Sequence, residues 1–202
     1  MSCEDQLNTM DSGSGDSDCG STLKRGAEAV LKNLKKSLEV ASRFSSVLRL
    51  IGTAAESDMG GSSGAMYSIL FETAAVSIGA CKTVTASNVG LAFQSGLNAV
   101  MKYGRASPGD RTMIDALLPA IQAFQRTLDE KKSTLEAVEA ATCAAENGAI
   151  STLNMKASAG RASYVSSSEL KHPDPGAHAV GIIMRALFEG YKIKESEYGR
   201  NN

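Results

Sequence analysis

Three aspartates near the amino end of the chain are the residues whose types and spacing best fit a chemical role. Asp11, Asp16 and Asp18 lie in the string Asp11-Ser-Gly-Ser-Gly-Asp16-Ser-Asp18-Cys-Gly20. Carboxylates this close repel one another unless a cation lies between them. Oxygen ligands favour Mg²⁺, Mn²⁺ or Ca²⁺ over Zn²⁺, although the spacing does not match an EF-hand. The alternative is a solvated turn whose acids cap a helix.

Two helix starts could complete an anion site. A helix is predicted to begin near Ser21 and Thr22, where free N–H groups and the helix dipole attract an anion. Residues 59–64, Met-Gly-Gly-Ser-Ser-Gly, are similar to a phosphate-binding turn that opens a helix, but they lack the lysine of a P-loop. A flexible connection between two helices is the alternative for this second segment.

Two further loops each allow a structural and a functional interpretation. In residues 103–113, Asp110 is predicted to cap a helix and Arg111 to be a solvent-exposed charge, unless the segment forms a wall of a nucleotide pocket. Arg161 could hold a phosphate through two hydrogen bonds, and the rigid turn Asp174-Pro-Gly176 could present backbone groups to a ribose or base. For both, the alternative is a long surface loop with a Pro-Gly turn.

The elements that must position these loops are predicted to be helices. Apolar residues recur at three- and four-residue steps between the glycine clusters, and no segment sustains a period of two. The fold class is therefore predicted to be all-α, a single domain over residues 1–202. Helices are predicted at about residues 21–51, 64–82, 86–103, 110–130, 134–157 and 176–193, followed by a frayed tail over 193–202.

Composition excludes several classes of protein. The 202 residues carry 21 basic and 22 acidic side chains, a net charge of −1, so there is no broad basic field to bind nucleic acid or an anionic membrane. No continuous apolar run reaches the ~20 residues of a membrane span. Two histidines fit poorly with a zinc site or a Ser-His-Asp triad. Four dispersed cysteines and a polar, acidic amino end predict reduced thiols and a cytoplasmic location.

Taken in order, the polar loops resemble those of the L subunit of dihydroxyacetone kinase and, more closely, the nucleotide-binding L domain of animal triokinase/FMN cyclase. The resemblance rests on the strings LNTMDSGSGDSDCG, MGGSSGAMY, KYGRASPGDRTMIDAL, GRASYVSSSEL and PDPGA, which span residues 7–177. It implies an antiparallel barrel of eight helices with a nucleotide at one open end. Only ten residues precede Asp11, so the family's first helix is expected to be missing. Cys19 replaces the histidine that bacterial L subunits commonly carry.

The resemblance also implies roles for individual residues. Asp11, Asp16 and Asp18 would hold two Mg²⁺ ions, with Mn²⁺ as an alternative, that bridge the phosphates of ATP or ADP. No side chain of this domain is assigned as a catalytic acid or base, and His172 and His178 are expected to cap or lie at the surface. The residues expected to contact the nucleotide are Cys19, Gly20, Ser21, Thr22, Ser62, Ser63, Gly104, Met113, Arg161, Asp174, Pro175 and Gly176.

Three functions are compatible with this interpretation. The first is ATP-dependent phosphoryl transfer to dihydroxyacetone or glyceraldehyde, in which this chain supplies the Mg–ATP site and a K-type domain holds the triose. The second is FAD-AMP lyase activity of the isolated domain, which needs a metal–diphosphate site but no acceptor domain. The third is a non-catalytic nucleotide-binding paralogue that acts through partners. The expected partner is a K-type domain or a second copy in a homodimer, with no nucleic acid and no membrane.

Overall fold

The structure, a computed structural model, describes residues 2–36 and 43–200, and within them lie eight α-helices and no β-strand. A π-helical turn, Ala55–Met59, follows the third helix, and two 3₁₀ turns, Thr152–Asn154 and Arg161–Tyr164, precede the last. The all-α prediction is confirmed. The helices are α1 (Cys3–Asp11), α2 (Cys19–Lys36), α3 (Phe44–Ala54), α4 (Gly61–Gly79), α5 (Ala86–Gly104), α6 (Ile114–Asp129), α7 (Thr134–Ser151) and α8 (Pro175–Arg200).

The eight helices form a closed ring. Each helix packs against the next along the chain, and α8 returns to pack against α1. Helices joined by short connections run antiparallel, so the loops after α1, α3, α5 and α7 lie at the same end of the ring. These four loops carry every polar segment from which the sequence predicted a site. The barrel implied by the resemblance is therefore the architecture that positions them.

Small side chains allow α6 and α7 to approach closely. Ala116 of α6 and Ala145 and Ala149 of α7 are almost fully buried in one cluster. Between them, Gly148 brings the α7 backbone against α6: a Cβ there would lie 3.1 Å from the Cα of Ala116 and would overlap the carbonyl oxygen of Asp115. The first turn of α6 is thereby fixed against the ring.

A short helix precedes the aspartate loop, where the sequence predicted that a helix is missing. A capping box starts α1: Ser2 Oγ accepts from the N–H of Asp5 (3.2 Å), and Asp5 Oδ2 accepts from the N–H of Ser2 (3.2 Å). The helix packs on α8 through Gln6, whose Nε2 lies 3.0 Å from Nε2 of His178. His178 is partly buried there, where it meets a side chain of α1, and burial lowers its pKa.

The predicted helix 21–51 is two helices. The structure ends α2 at Lys36 and begins α3 at Phe44, because Arg43 has an extended backbone with φ −127° and ψ 126°. Residues 37–42 of the prediction lie outside the described residues. Apolar periodicity therefore predicted these two helices as one and did not indicate the extended residue before α3.

Other helix ends also differ from prediction. A turn occupies residues 107–110, so α6 begins at Ile114, and α7 gives way after Ser151 to a 3₁₀ turn. The segment predicted as a frayed tail, 193–202, is helical as far as Arg200, in a lysine- and glutamate-rich stretch that favours helix, and residues 201–202 lie outside the described residues. Neither α8 nor any other helix in the described part of the chain is apolar enough over sufficient length to cross a membrane.

Gly148→Ala tests the close packing of α7 on α6. The added Cβ would overlap the α6 backbone, so we expect the free energy of unfolding to fall by about 1–3 kcal/mol. Gly190→Ala on α8 is the matched control, because nothing lies within 4 Å of the added Cβ. Alanine is the better helix former, so the control should gain up to about 1 kcal/mol. Urea unfolding followed by circular dichroism measures both, and effects of the same sign would contradict this packing.

Candidate functional site

The three aspartates converge at the end of the ring where α1 meets α2. Asp11 is the last residue of α1, and Asp16 and Asp18 lie in the loop that follows. Each offers one carboxylate oxygen, and these oxygens all lie within 4.8 Å of one another. Asp11 is buried, whereas Asp16 and Asp18 are exposed. The structure therefore brings together the three carboxylates that the sequence selected.

The loop is folded tightly around the buried carboxylate. Asp11 Oδ2 accepts hydrogen bonds from the backbone N–H groups of Asp18 (3.1 Å) and Cys19 (3.2 Å). A Cβ on Gly15 would overlap Asp11 Oδ1, so the loop requires glycine at this position. Burial raises the pKa of Asp11, the two N–H donors lower it in part, and the charges of the neighbouring aspartates raise it further. Two N–H donors thus stabilise a carboxylate that burial and repulsion disfavour.

Arg161 brings positive charge to the exposed side of the cluster. Its Nη1 forms an ion pair with Asp16 Oδ2, and this hydrogen-bonded guanidinium lowers the pKa of Asp16. The loop that carries Arg161 also abuts the aspartate loop, because a Cβ on Gly13 would lie 3.2 Å from the carbonyl oxygen of Glu169. The two loops are therefore neighbours, as their predicted roles at one site require.

The donor set fits a hard divalent cation. Three carboxylates face one another with a single arginine paired to them in the described residues, so negative charge is in excess. Cys19 follows the cluster directly, and burial raises its pKa to about 12, which keeps it a thiol rather than a metal-binding thiolate. Oxygen ligands without thiolate suit Mg²⁺ or Mn²⁺.

Side chains of α1 already occupy the N-terminus of α2. Asn8 Oδ1 accepts from the N–H groups of Gly20 (2.7 Å) and Ser21 (3.2 Å), and Asn8 Nδ2 donates to Ser21 Oγ (3.0 Å). Ser21 Oγ donates in turn to Glu4 Oε1 (3.0 Å). Amides predicted to face phosphate are therefore bonded within the protein. The sequence analysis missed Asn8, although its position three residues before Asp11 puts both on one helix face.

The N-terminus of α4, in contrast, has no side-chain cap. Gly60 and Gly61 have φ values of +72° and +60°, a left-handed conformation that glycine adopts readily. Ser62 and Ser63 follow in the first turn, and both are exposed. The free N–H groups of this turn can donate hydrogen bonds to an anion. Two helix starts were predicted to bind phosphate. Only at α4 are the N–H groups of the first turn left without a side-chain cap.

Arg25 joins the two helix starts, a role that the sequence did not indicate. Its Nη2 donates to Thr22 Oγ1 (2.9 Å) in α2 and to the carbonyl oxygen of Met59 (3.0 Å), just before α4. Thr22 Oγ1 in turn donates to Asp18 Oδ2 (3.3 Å). The first turn of α4 is thus linked to the aspartate loop through one guanidinium and one hydroxyl.

Arg111, predicted to be a solvent-exposed charge, is only 2% exposed. Its Nη2 donates to the carbonyl oxygen of His172 (2.6 Å), and its Nη1 lies 3.9 Å from Asp174 Oδ1. Its Nε and Nη1 have no hydrogen-bond partner among the described residues. The prediction is wrong because the loop between α5 and α6 folds inward and places this charge beside the largely buried carboxylate of Asp174.

Asp174 also points into the protein. Its Oδ2 accepts from the N–H of Ala177 (2.8 Å), which caps α8, and its own N–H donates to Thr152 Oγ1 (2.8 Å). Burial raises the pKa of Asp174 to about 6 against the opposing effects of the Ala177 N–H and the Arg111 charge. The turn that begins at Asp174 is therefore fixed from three sides, and its carboxylate is engaged inside the fold.

The remaining predicted residues lie along the same end of the ring. A Cβ on Gly104 would lie 3.0 Å from Met66 Sδ of α4, and a Cβ on Gly176 would lie 3.8 Å from the Cβ of Met113. Pro175 is buried at the start of α8.

The residue predicted to cap α6 does not do so. Asp110 closes its own turn by accepting from the N–H of Ser107 (2.7 Å). Asp115 takes the capping role instead and accepts from the N–H groups of Thr112 (2.8 Å) and Gly109. The loop after α5 is consequently held by Asp115 from the helix and by Arg111 from the opposite side.

Comparison with known proteins gives consistent matches. Residues 14–189 match the family described as the DAK2 domain. The chain is 42% identical over 191 residues to a triokinase/FMN cyclase of Rattus norvegicus. The aligned part covers 95% of this chain and 32% of that protein. The chain is 33% identical to the ADP-binding subunit of the PEP-dependent dihydroxyacetone kinase of Escherichia coli (strain K12), covering 90% of this chain and 85% of that subunit.

A solved structure matches the fold as well. The crystal structure of the C. freundii dihydroxyacetone kinase in complex with AMP-PNP and Mg²⁺ superposes with a TM-score of 0.72 at 34% identity, covering 93% of this chain and 30% of that chain. The chain therefore spans about a third of the length of this kinase and of the triokinase/FMN cyclases that it matches.

Divalent cations should stabilise the fold through the aspartates. A ligand that binds only the native state raises stability in proportion to RT ln(1 + [L]/Kd), so millimolar Mg²⁺ or Mn²⁺ should raise the melting temperature. Asp18→Asn, at an exposed carboxylate, should abolish the rise while leaving the metal-free melting temperature nearly unchanged. Glu139→Gln, an exposed carboxylate on α7, is the control and should keep the rise. A full rise in Asp18→Asn would place the cation elsewhere.

Proposed function

The chain belongs to the DAK2 domain family, and we propose that it supplies the Mg–ATP site for phosphoryl transfer to dihydroxyacetone or glyceraldehyde held by a K-type domain. The observation that carries the proposal is the convergence of Asp11, Asp16 and Asp18 at the end of the ring where the uncapped N-terminus of α4 lies. Relatives named triokinase and dihydroxyacetone kinase, and a similar structure solved with AMP-PNP and Mg²⁺, support it.

The aspartate loop would hold the cation. Two Mg²⁺ ions, with Mn²⁺ as an alternative, would neutralise charge on the transferring phosphoryl group when they are bound. Asp11 is pre-oriented by the N–H groups of Asp18 and Cys19, so its position does not depend on the ligand. Asp16 and Asp18 are exposed and can turn toward a cation without losing buried contacts.

The phosphates are assigned to α4 rather than to α2. The N–H groups of Gly20 and Ser21 are bound by Asn8, so α2 serves chiefly to position the aspartates. The first turn of α4, at Ser62 and Ser63, offers the N–H groups that remain. The Arg161 side chain is 63% exposed and can exchange Asp16 for a phosphate oxygen.

The rest of the nucleotide would follow the far side of the same end. A ribose or base would lie against a closely packed surface there, because a Cβ on Gly104 would lie 3.0 Å from Met66 Sδ and one on Gly176 would lie 3.1 Å from Asp174 Oδ2. Asp174 contributes by fixing this turn, since its carboxylate faces Ala177 and Arg111. The turn then presents backbone groups rather than a charge.

We assign no described side chain near the aspartates as a catalytic acid or base. Burial keeps Cys19 a thiol, with its pKa raised to about 12, and it also raises the pKa of Tyr67 well above its usual value. The acceptor hydroxyl would therefore be activated on the K-type domain. This chain contributes positioning and charge neutralisation, which dominate phosphoryl transfer.

Kinase activity is testable with a separately expressed K-type domain. The mixture should convert ATP to ADP only when dihydroxyacetone or glyceraldehyde is present, as measured by coupled ADP release. Asp18→Asn should lower kcat/KM on the order of 100-fold, because a cation ligand is lost. Glu139→Gln is the control. Full activity in both Asp16→Asn and Asp18→Asn would refute the proposal, and nucleotide binding without turnover would favour a non-catalytic paralogue.

A second candidate is FAD-AMP lyase activity, which is favoured by relatives named triokinase/FMN cyclase at 41–44% identity. In this reaction a ribityl hydroxyl of FAD attacks the phosphorus on its own FMN side and loses its proton. The bond from that phosphorus to the bridging oxygen breaks, and AMP leaves with that oxygen. A metal–diphosphate site suffices, so no acceptor domain is needed.

The isolated chain should therefore release AMP from FAD when Mn²⁺ is present. Chromatography should show AMP and cyclic FMN in equal amounts, and Asp18→Asn should remove both products because the diphosphate loses a cation ligand. Glu139→Gln should leave the yield unchanged. If no AMP forms above a metal-free control, the lyase candidate is excluded and the kinase proposal stands on its own test.

A further inference from the structure

The backbone at Arg111 has a conformation that residues with a side chain rarely adopt. Its φ is +63°, in the left-handed region. Three other non-glycine residues in the described part of the chain have positive φ, and all three are exposed: Ser17, Arg105 and Lys131. Arg111 differs from them because it is only 2% exposed. A disfavoured backbone and a desolvated charge thus coincide at one residue, which indicates a role other than stability.

The Arg111 side chain bridges two loops at the aspartate end of the ring. It belongs to the loop after α5, and its Nη2 donates to the carbonyl oxygen of His172 (2.6 Å) in the segment before α8. Its Nη1 lies 3.9 Å from Oδ1 of Asp174 in the same segment. Beside it, the N–H of Ser158 donates to the carbonyl oxygen of Asp110 (3.2 Å). The guanidinium is therefore a main determinant of how the two loops lie against each other.

Each of these loops is also held by bonds that do not involve Arg111. Asp115 holds the loop after α5 by accepting hydrogen bonds from two of its N–H groups. The N–H of Asp174 donates to Thr152 Oγ1 (2.8 Å), and Asp174 Oδ2 accepts from the first turn of α8 (2.8 Å). Loss of the Arg111 guanidinium would therefore leave both loops folded and would let one shift against the other.

The guanidinium gains little from its burial. Its Nε and Nη1 have no hydrogen-bond partner among the described residues, and 3.9 Å from Nη1 to Asp174 Oδ1 exceeds hydrogen-bond distance. A buried charge with unmade hydrogen bonds costs stability, and an apolar side chain of similar length avoids that cost. The Arg111 charge also lowers the pKa of Asp174. Without it that pKa rises further, so the carboxyl takes up a proton instead of remaining an unpaired charge.

We propose that Arg111 is a positioning residue for nucleotide binding, which acts by setting the loop after α5 against the turn before α8. The inference rests on the proposed function, which assigns the phosphates to the aspartates and α4 and the rest of the nucleotide to these two loops. A nucleoside that contacts both loops loses contacts when one of them shifts, whereas phosphates bound elsewhere do not. Arg111 therefore acts on the affinity for a nucleotide and not on the affinity for bare phosphates.

Binding of a nucleotide and of bare phosphates separates these effects. Calorimetry on the full chain with Mg²⁺ compares ATP with inorganic tripolyphosphate, which has no nucleoside. Arg111→Met should weaken ATP binding by about 10- to 100-fold, leave tripolyphosphate binding unchanged and keep the melting temperature near that of the wild type. Arg111→Lys keeps the charge but not the planar fork, so it should show a smaller loss, again for ATP alone. Arg126→Met, at an exposed arginine on α6, is the control and should bind both ligands as the wild type does.

The outcomes distinguish this proposal from the proposed function. Unchanged ATP affinity in Arg111→Met overturns the positioning role alone, and so does a parallel loss of ATP and tripolyphosphate, since the residue would then support the fold or the phosphate site. If Arg111→Met does not fold, Arg111→Lys decides by the same comparison. Equal affinity of the wild type for both ligands rejects the positioning role and keeps the phosphate site. Binding of neither ligand by the wild type rejects the proposed function and the positioning role together.

Discussion

The hydrogen bonds between the end of α1 and the start of α2 are the constraint on which the site depends. Asp11 and Asn8 together accept from four consecutive backbone N–H groups, those of residues 18–21. These donors offset the electrostatic repulsion between the three carboxylates of the loop. They also close the helix start that would otherwise attract an anion. The loop is therefore folded before any ligand arrives.

Arg111 and Arg161 act on this end of the ring in different ways. Arg111 is buried beside Asp174, where desolvation is costly and the benefit is a fixed loop geometry rather than net stability. Arg161 pairs with Asp16 in solvent, where an ion pair contributes little and exchanges readily. The buried pair suits a permanent brace between two loops. The exposed pair suits a contact that a cation or a phosphate can replace.

The sequence predicts well those features that depend on local pattern. Apolar periodicity indicates the helices, and carboxylate spacing indicates that Asp11, Asp16 and Asp18 meet. It fails for contacts between distant residues: Arg111 meets a carbonyl 61 positions away. The extended backbone at Arg43 is equally hard to predict, because no proline or glycine lies between residues 37 and 51. Burial of a charge is settled by which loops become neighbours in the ring.

The ring separates the regions of the chain that must stay constant from those that can change. All four loops with polar chemistry lie at one end, so the connections 80–85 and 130–133 lie at the other. Short polar turns of this kind tolerate insertion, provided that the flanking helices keep their register. A fluorescent tag, an affinity peptide or a permuted terminus placed at either turn would be carried far from the carboxylates. The end of the ring opposite the carboxylates is therefore the place where the chain can be extended without disturbing the site.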